Sequence, residues 1–158
     1  MILLELGGVA ISVEESDAIS QTYELIGGAA SLRTLGGGLI RQRNWRKLKT
    51  VVSVAEARFL PALQSLDLDV TQVLKCVAPR EIAAAVPAIT LPTARRTDAA
   101  PYGFAMLATG FRVRTPGVLV GDVMTLQAVP GSVRYSVCYV PQLVVLATLT
   151  ERFDVRGA

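Results

Sequence analysis

The densest chemistry in the sequence lies between residues 41 and 49, where Arg41, Arg43, Arg46, Lys47 and Lys49 surround the single tryptophan, Trp45. Cationic side chains beside an indole suit three tasks. They can form a solvated strand face with snorkelling stems, a protein-binding hot spot, or a stacking and phosphate-holding surface for a polynucleotide. Charge order along the chain bears on the choice. Five acidic residues and no basic one precede Arg33, whereas six basic residues and no acidic one run from Arg33 to Lys49. Opposite charge in neighbouring segments suits pairing between copies, with the acidic face of one meeting the basic face of the next. Arg41, Arg43, Trp45, Arg46 and Lys47 are therefore the expected interface residues, and nucleic acid ranks below a solvated face or a protein partner.

Other reactive residue types are sparse. The chain contains no histidine, which removes the usual general base, the commonest transition-metal ligand and the serine–histidine triad. Cys76 and Cys138 are too few for a disulfide framework or a four-cysteine zinc site. Each sits among alternating apolar residues and reads as a buried thiol, although a single Cys76–Cys138 bridge stays open. Lys75 adjoins Cys76, but neighbouring side chains on a strand point to opposite faces, so it does not activate the thiol. Glu14, Glu15 and Asp17 cluster, and Asp67 and Asp69 are one residue apart, yet no calcium-loop spacing is present. The carboxylates read as solvated loop residues; a glycosidase pair depends on a separation that only three dimensions define. Gly36, Gly37 and Gly38 lead into Leu39, Ile40 and Arg41, without the lysine and hydroxyl of a phosphate loop, and no G-x-G-x-x-G pattern occurs. The expectation is a protein without catalytic residues, cofactor or metal.

These residues need a scaffold, and the composition describes it. The 158 residues are 51% hydrophobic and 18% charged, with a formal net charge of +3. That is enough apolar material for one domain or two small ones, and it excludes a long disordered chain. Mean hydropathy is high at +0.44. The longest late uncharged run, 135–150, contains Pro141 and Gln142 and falls short of the ~18–20 apolar residues of a spanning helix. No basic stretch opens the chain, so no secretory signal is expected.

Short β segments account for most of the pattern. Residues 2–6 and 9–13 flank Gly7 and Gly8. Residues 19–26 alternate, with Ile19, Tyr23 and Leu25 on one side and Ser20, Thr22 and Glu24 on the other. Gly27 and Gly28 then break the pattern, as do Gly36 to Gly38, marking turns, bulges or close backbone approach. Residues 39–54 form the longest β-leaning stretch, too basic to be fully buried. Leu60, Leu63 and Leu66 with Pro61 indicate one short helix near 61–66. Residues 70–78 return to strand. The segment 81–100, with Pro87 and Pro92 and a run of alanines, reads as a surface connector with one edge strand at 88–91. Beyond it, strands at 104–108, 111–114, 118–120, 123–129, 133–140 and 143–150 are separated by glycine and proline turns. The expected fold is mainly β: antiparallel sandwich- or barrel-like lobes with one short helix, divided as 1–80, a connector at 81–100, and 101–158.

Three stretches carry a family likeness: Glu5-Leu6-Gly7-Gly8, the run from Leu35-Gly36-Gly37-Gly38 through Trp45-Arg46-Lys47, and Leu74-Lys75-Cys76-Val77-Ala78-Pro79-Arg80. With them the chain resembles small tail proteins of tailed bacteriophages and related prophages. The run from Thr125 to Pro141, in which a Pro-Gly turn precedes aromatic residues alternating with polar ones, is similar to the fibronectin-like β-sandwich modules of such proteins. The resemblance implies a structural virion protein: a distal tail or baseplate subunit that forms a ring with itself, docks neighbouring tail proteins, and is assembled in the host bacterial cytoplasm. The rival reading is a β-sandwich that binds host-surface glycan, for which Tyr102, Phe104, Tyr135 and Tyr139 are the aromatic candidates. Alternation places Tyr135 and Tyr139 on one face with Val137, a core arrangement.

Overall fold

A computed structural model describes residues 2–11, 18–55 and 61–150, apart from the side chains of residues 18, 29, 42–44, 55, 61 and 62. The strands are β1 (Glu5–Leu6), β2 (Val9–Ala10), β3 (Ala18–Arg33), β4 (Leu39–Ala55), β5 (Gln72–Lys75), β6 (Arg80–Ala84), β7 (Ala88–Thr90), β8 (Tyr102–Leu107), β9 (Arg112–Thr115), β10 (Gly117–Val120), β11 (Val123–Leu126), β12 (Ser132–Tyr139) and β13 (Gln142–Val145), with one helix, α1 (Pro61–Gln64). Every strand pair is antiparallel. The mainly β expectation holds, with sandwich-like lobes and, among the described residues, a single short helix where Pro61 supplies a first turn lacking a donor.

The chain divides into two compact units, one made of residues 1–15 and 59–158, the other of residues 16–58. This division differs from lobes at 1–80 and 101–158. In the larger unit β5 lies between β1 and β13 in one sheet of order β13-β5-β1-β2, so strands from both expected lobes share hydrogen bonds. The segment 81–100 is likewise more than a connector. It supplies β6 to the sheet β6-β12-β8-β9 and β7 to the sheet β10-β11-β7. Its alanines have weak strand preference, but pairing of Ala83 and Ala84 with Ser136 and Tyr135 overrides it. Pro87, Pro92 and Pro101 all fall between strands, where a missing N–H costs no ladder bond.

The core of this unit lies between two sheets. Tyr135, Val137 and Tyr139 of β12 pack on Ile89, Leu91, Met124 and Leu126 from and beside β7 and β11. A tyrosine can be buried here because its hydroxyl is satisfied: Tyr135 Oη accepts from the N–H of Val129, 3.2 Å away, and from the Ser132 hydroxyl. Cys76 and Cys138 are both buried free thiols, as the alternation around them indicates, and no bridge joins them.

Two consecutive arginines tie the 92–98 segment down. Arg95 donates to Asp122 Oδ1 at 2.6 Å, to the Pro92 carbonyl at 2.9 Å and to the Gly121 carbonyl at 2.9 Å. Arg96, only 4% exposed, forks onto Asp98 at 2.9 and 2.6 Å and reaches the carbonyls of Leu3 at 2.6 Å and Cys76 at 2.9 Å. Neither role is visible in the sequence, where the pair reads as surface charge within a proline-bearing stretch.

The smaller unit is a two-stranded ribbon of β3 and β4. At about 3.3 Å per residue, strands of 16 and 17 residues reach roughly 50 Å. Of the turn, bulge or close approach expected at Gly27 and Gly28, the turn does not occur: β3 continues through both glycines, with a bulge in the pairing beside Gly28. The close approach is present as well, since Trp45 of β4 pairs with Gly28 and its indole lies against that residue, where an added Cβ would stand 2.6 Å from Nε1.

Candidate functional site

The ribbon carries all five expected interface residues on β4. Strand alternation alone would put Arg41, Arg43, Trp45 and Lys47 on one face and Arg46 on the other. The structure rearranges them through a β-bulge. Gly28 pairs with Trp45 and Ala29 with Arg43, leaving Asn44 as the extra residue. This one-residue insertion reverses the parity of everything beyond it. Arg41, opposite Ser31, and Arg46, opposite Gly27, now belong to one face, together with Leu25 and Leu48. Arg43 sits in the ladder opposite Ala29, between these two arginines, and its side chain lies outside the described set. Trp45, Lys47 and Lys49 occupy the other face with Ile26 and Glu24. The bulge thus brings arginines together on one side and separates them from the tryptophan. Sequence reading could not locate it, because an asparagine between Arg43 and Trp45 is compatible with regular pairing.

The site is exposed and apolar as well as basic. Arg41, Arg46 and Lys47 are exposed, and Trp45 is 49% exposed despite its contact with Gly28. Leu25, Leu32, Leu39, Ile40 and Val51 are exposed beside them. Residues 18–55 contain six basic residues and one acidic residue, Glu24. Lys49 meets Glu24 at 3.8 Å with both side chains more than half exposed, a pair worth little in water. Toward the open end of the ribbon this arginine-bearing face is quieter: Ile19, Tyr23, Leu48, Val52 and Val54 are half-buried, and Thr50 Oγ1 accepts from Gln21 at 3.1 Å and donates to the Thr22 carbonyl at 2.9 Å.

The Gly28–Trp45 contact yields a direct prediction. Replacing Gly28 by valine puts a branched side chain where the indole lies, so Trp45 must swing into water. Trp45 is the sole tryptophan, and its emission reports the change without labels. Gly28→Val is expected to shift the emission maximum to longer wavelength while unfolding of the larger unit is unchanged. An unshifted spectrum would show that the indole does not rest on Gly28.

The aromatic candidates for glycan stacking are placed differently from such a role. Tyr135 and Tyr139 are buried in the core, each 6% exposed. Tyr102 and Phe104 lie on the opposite face of the β8–β12 pair, edge to face with centroids 5.7 Å apart. Their rings are already used by guanidinium groups: Arg112 stands 4.4 Å from the Phe104 centroid and Arg114 5.3 Å from that of Tyr102, with Arg112 held by Glu81 at 2.7 Å. Burial pushes the Cys138 thiol above its ordinary range, and burial does the same for the Tyr102 hydroxyl. A raised thiol pKa is the reverse of what a nucleophile needs. Among the described residues no three histidine, cysteine or carboxylate side chains cluster to hold a metal, and no helix is long and apolar enough to cross a membrane.

No family model matches the chain, and no curated protein or solved structure matches it either.

Proposed function

We propose that this chain is a structural subunit of a tailed-phage tail, placed at the tail tip or baseplate, that builds a ring from copies of itself and docks neighbouring tail proteins. Its work is surface complementarity, with no turnover, cofactor or metal. The tail assignment rests on the resemblance of residues 5–8, 35–47, 74–80 and 125–141 to stretches of such tail proteins. The observation that carries the assembly reading is the ribbon. A two-stranded hairpin on its own is marginal in water, yet this one spans residues 18–55 with both outer edges unpaired by any other described strand. It also exposes Leu25, Leu32, Leu39, Ile40 and Trp45 among arginines. Tryptophan and arginine are the residue types that dominate binding hot spots. Such an element becomes stable when a neighbour covers it.

Reversing charge on the bulged face tests this reading. Arg41 and Arg46 are exposed, so Arg41→Glu with Arg46→Glu is expected to leave folding intact and reduce assembly at least tenfold in concentration dependence. Light scattering across a dilution series reads this directly. Unaltered assembly of the double variant removes the ribbon from the account.

A further inference from the structure

We infer that the open edge of β10 is the seat for a second copy's ribbon, whose β3 strand joins the β10-β11-β7 sheet; the inference rests on the assembly reading above and names its contact. β10 and β11 are joined by the two-residue turn Gly121-Asp122, so Val120 and Val123 form the hydrogen-bonded pair next to it. In an antiparallel ladder hydrogen-bonded and open pairs alternate. The peptide groups of Leu119 and Gly117 therefore point away from β11, toward the free edge. The partner of Gly117 agrees, since Leu126 N–H turns away from β10 to the Pro87 carbonyl at 3.0 Å.

This edge has none of the usual protection. Proteins shield edge strands with lysine, proline, bulges or inward charges, and Gly117-Val118-Leu119-Val120 has none of these within its four residues. β9, the edge of the neighbouring sheet, carries Arg112 and Arg114. The first residue of β13 is covered by the 94–95 segment, where Gln142 N–H donates to the Ala94 carbonyl at 3.2 Å. Beside β10, moreover, is a half-open groove of about 340 Å³, lined by Gly117, Leu119, Met124, Ala99 and Pro101, with Arg95 and Arg96 at its side. An added strand gains main-chain hydrogen bonds from the edge and places alternate side chains in such a groove.

Charge selects the occupant. The outward side chains of β10 and β11 are Val118, Val120, Val123 and Thr125, and the two arginines by the groove are held by Asp122 and Asp98. A charged strand seated there would lose water without gaining a counter-ion. β4 is disfavoured, because Arg41, Arg43, Arg46, Lys47 and Lys49 punctuate it and leave residues 50–55 as its longest uncharged run. β3 has an uncharged run over residues 25–32, twice the length of β10, and an open outer edge. Thr34 N–H bonds to the Gly38 carbonyl at 2.9 Å, and the same alternation turns the peptide groups of Ser31 and Arg33 outward. The two edges are unlike, so the contact is head-to-tail and closes into a ring when the rotation permits.

Unlike edges permit a complementation experiment. Val118 and Val120 are 66% and 73% exposed, so Val118→Lys with Val120→Lys alters the edge without entering the core. Ser31→Pro removes an outward donor on β3, the position at which an edge strand tolerates proline. Each variant alone is expected to be monomeric by native mass spectrometry, and an equimolar mixture to form one-to-one dimers and nothing larger, since each pair retains one intact contact. In the assembled wild-type protein the Leu119 amide is expected to exchange with deuterium at least tenfold more slowly than in the monomer, a readout that needs no variant to fold. Full assembly of the β10 variant, dimers of the Ser31→Pro variant alone, a monomeric mixture, or an unprotected Leu119 amide would each overturn the inference. If the β10 variant assembles while Arg41→Glu with Arg46→Glu does not, the ribbon reading survives and this contact falls; a monomeric wild-type chain ends both.

Discussion

Replacing Arg96 by methionine is expected to destabilise the larger unit by roughly 2–5 kcal/mol. Methionine fills much of the space of the arginine stem but offers no donors, so the Leu3 and Cys76 carbonyls lose their partner. Each buried polar group left unpaired costs about 1–3 kcal/mol, and Cys76 is wholly buried. Arg96→Lys should recover only part of the loss, because one ammonium cannot reproduce a fork onto Asp98 and two divergent carbonyl contacts. Urea unfolding midpoints read both variants, and a methionine variant within about 0.5 kcal/mol of wild type would show that the staple is ornamental. The same pair sets an acid limit. The Arg96 guanidinium, by hydrogen bonding, holds the Asp98 carboxyl down at about 2 against an ordinary 3.8. A group whose pKa falls on folding stabilises above its unfolded value and loses that contribution as pH drops through the folded one. Stability should therefore decline between pH 4 and pH 2, and Asp98→Asn should flatten that slope; because Asp98 is largely exposed, its share is damped by solvent.

A second large effect is expected where two glycines cradle one leucine. A Cβ on Gly103 would stand 2.2 Å from Leu126 Cδ2, and one on Gly117 would stand 2.7 Å from the same carbon. Leu126 is 3% exposed and hemmed in by the core, so it has no free direction in which to yield. Gly103→Ala should cost about 1–3 kcal/mol by overpacking, and Leu126→Ala about 2–5 kcal/mol by opening a cavity. In the double variant the new methyl group enters the space the leucine vacated. The two losses should then fall short of additivity by about 1 kcal/mol or more, in a double-mutant cycle by chemical denaturation. Strict additivity would mean that the two residues do not contend for one space.

These two features also show what the sequence discloses. Alternation and glycine–proline turns place most strands of the last third, because a strand with one wet face writes its period directly into the chain. Ile19, Tyr23 and Leu25 share a face as their spacing requires. The basic strand is exposed because its long cationic side chains resist burial. What escapes are facts about non-local pairing. Gly28 is equally a turn, a bulge or a close approach until Trp45 is known to lie against it. Arg95 and Arg96 resemble surface charge until strands far apart in sequence bring Leu3, Cys76 and Asp122 to them. The alanines of residues 83–85 have little strand preference of their own, and β12 supplies the partner that recruits two of them. For the candidate site, residue types were legible and faces were not, since a single unpaired Asn44 decides which arginines stand together.

The central claim is that this chain acts by being held against other copies of itself. Native mass spectrometry of the unaltered protein, over a hundredfold range of concentration, tests it most directly. The account predicts one closed oligomer of fixed copy number that persists on dilution into the micromolar range; a single-chain mass at every concentration would contradict it.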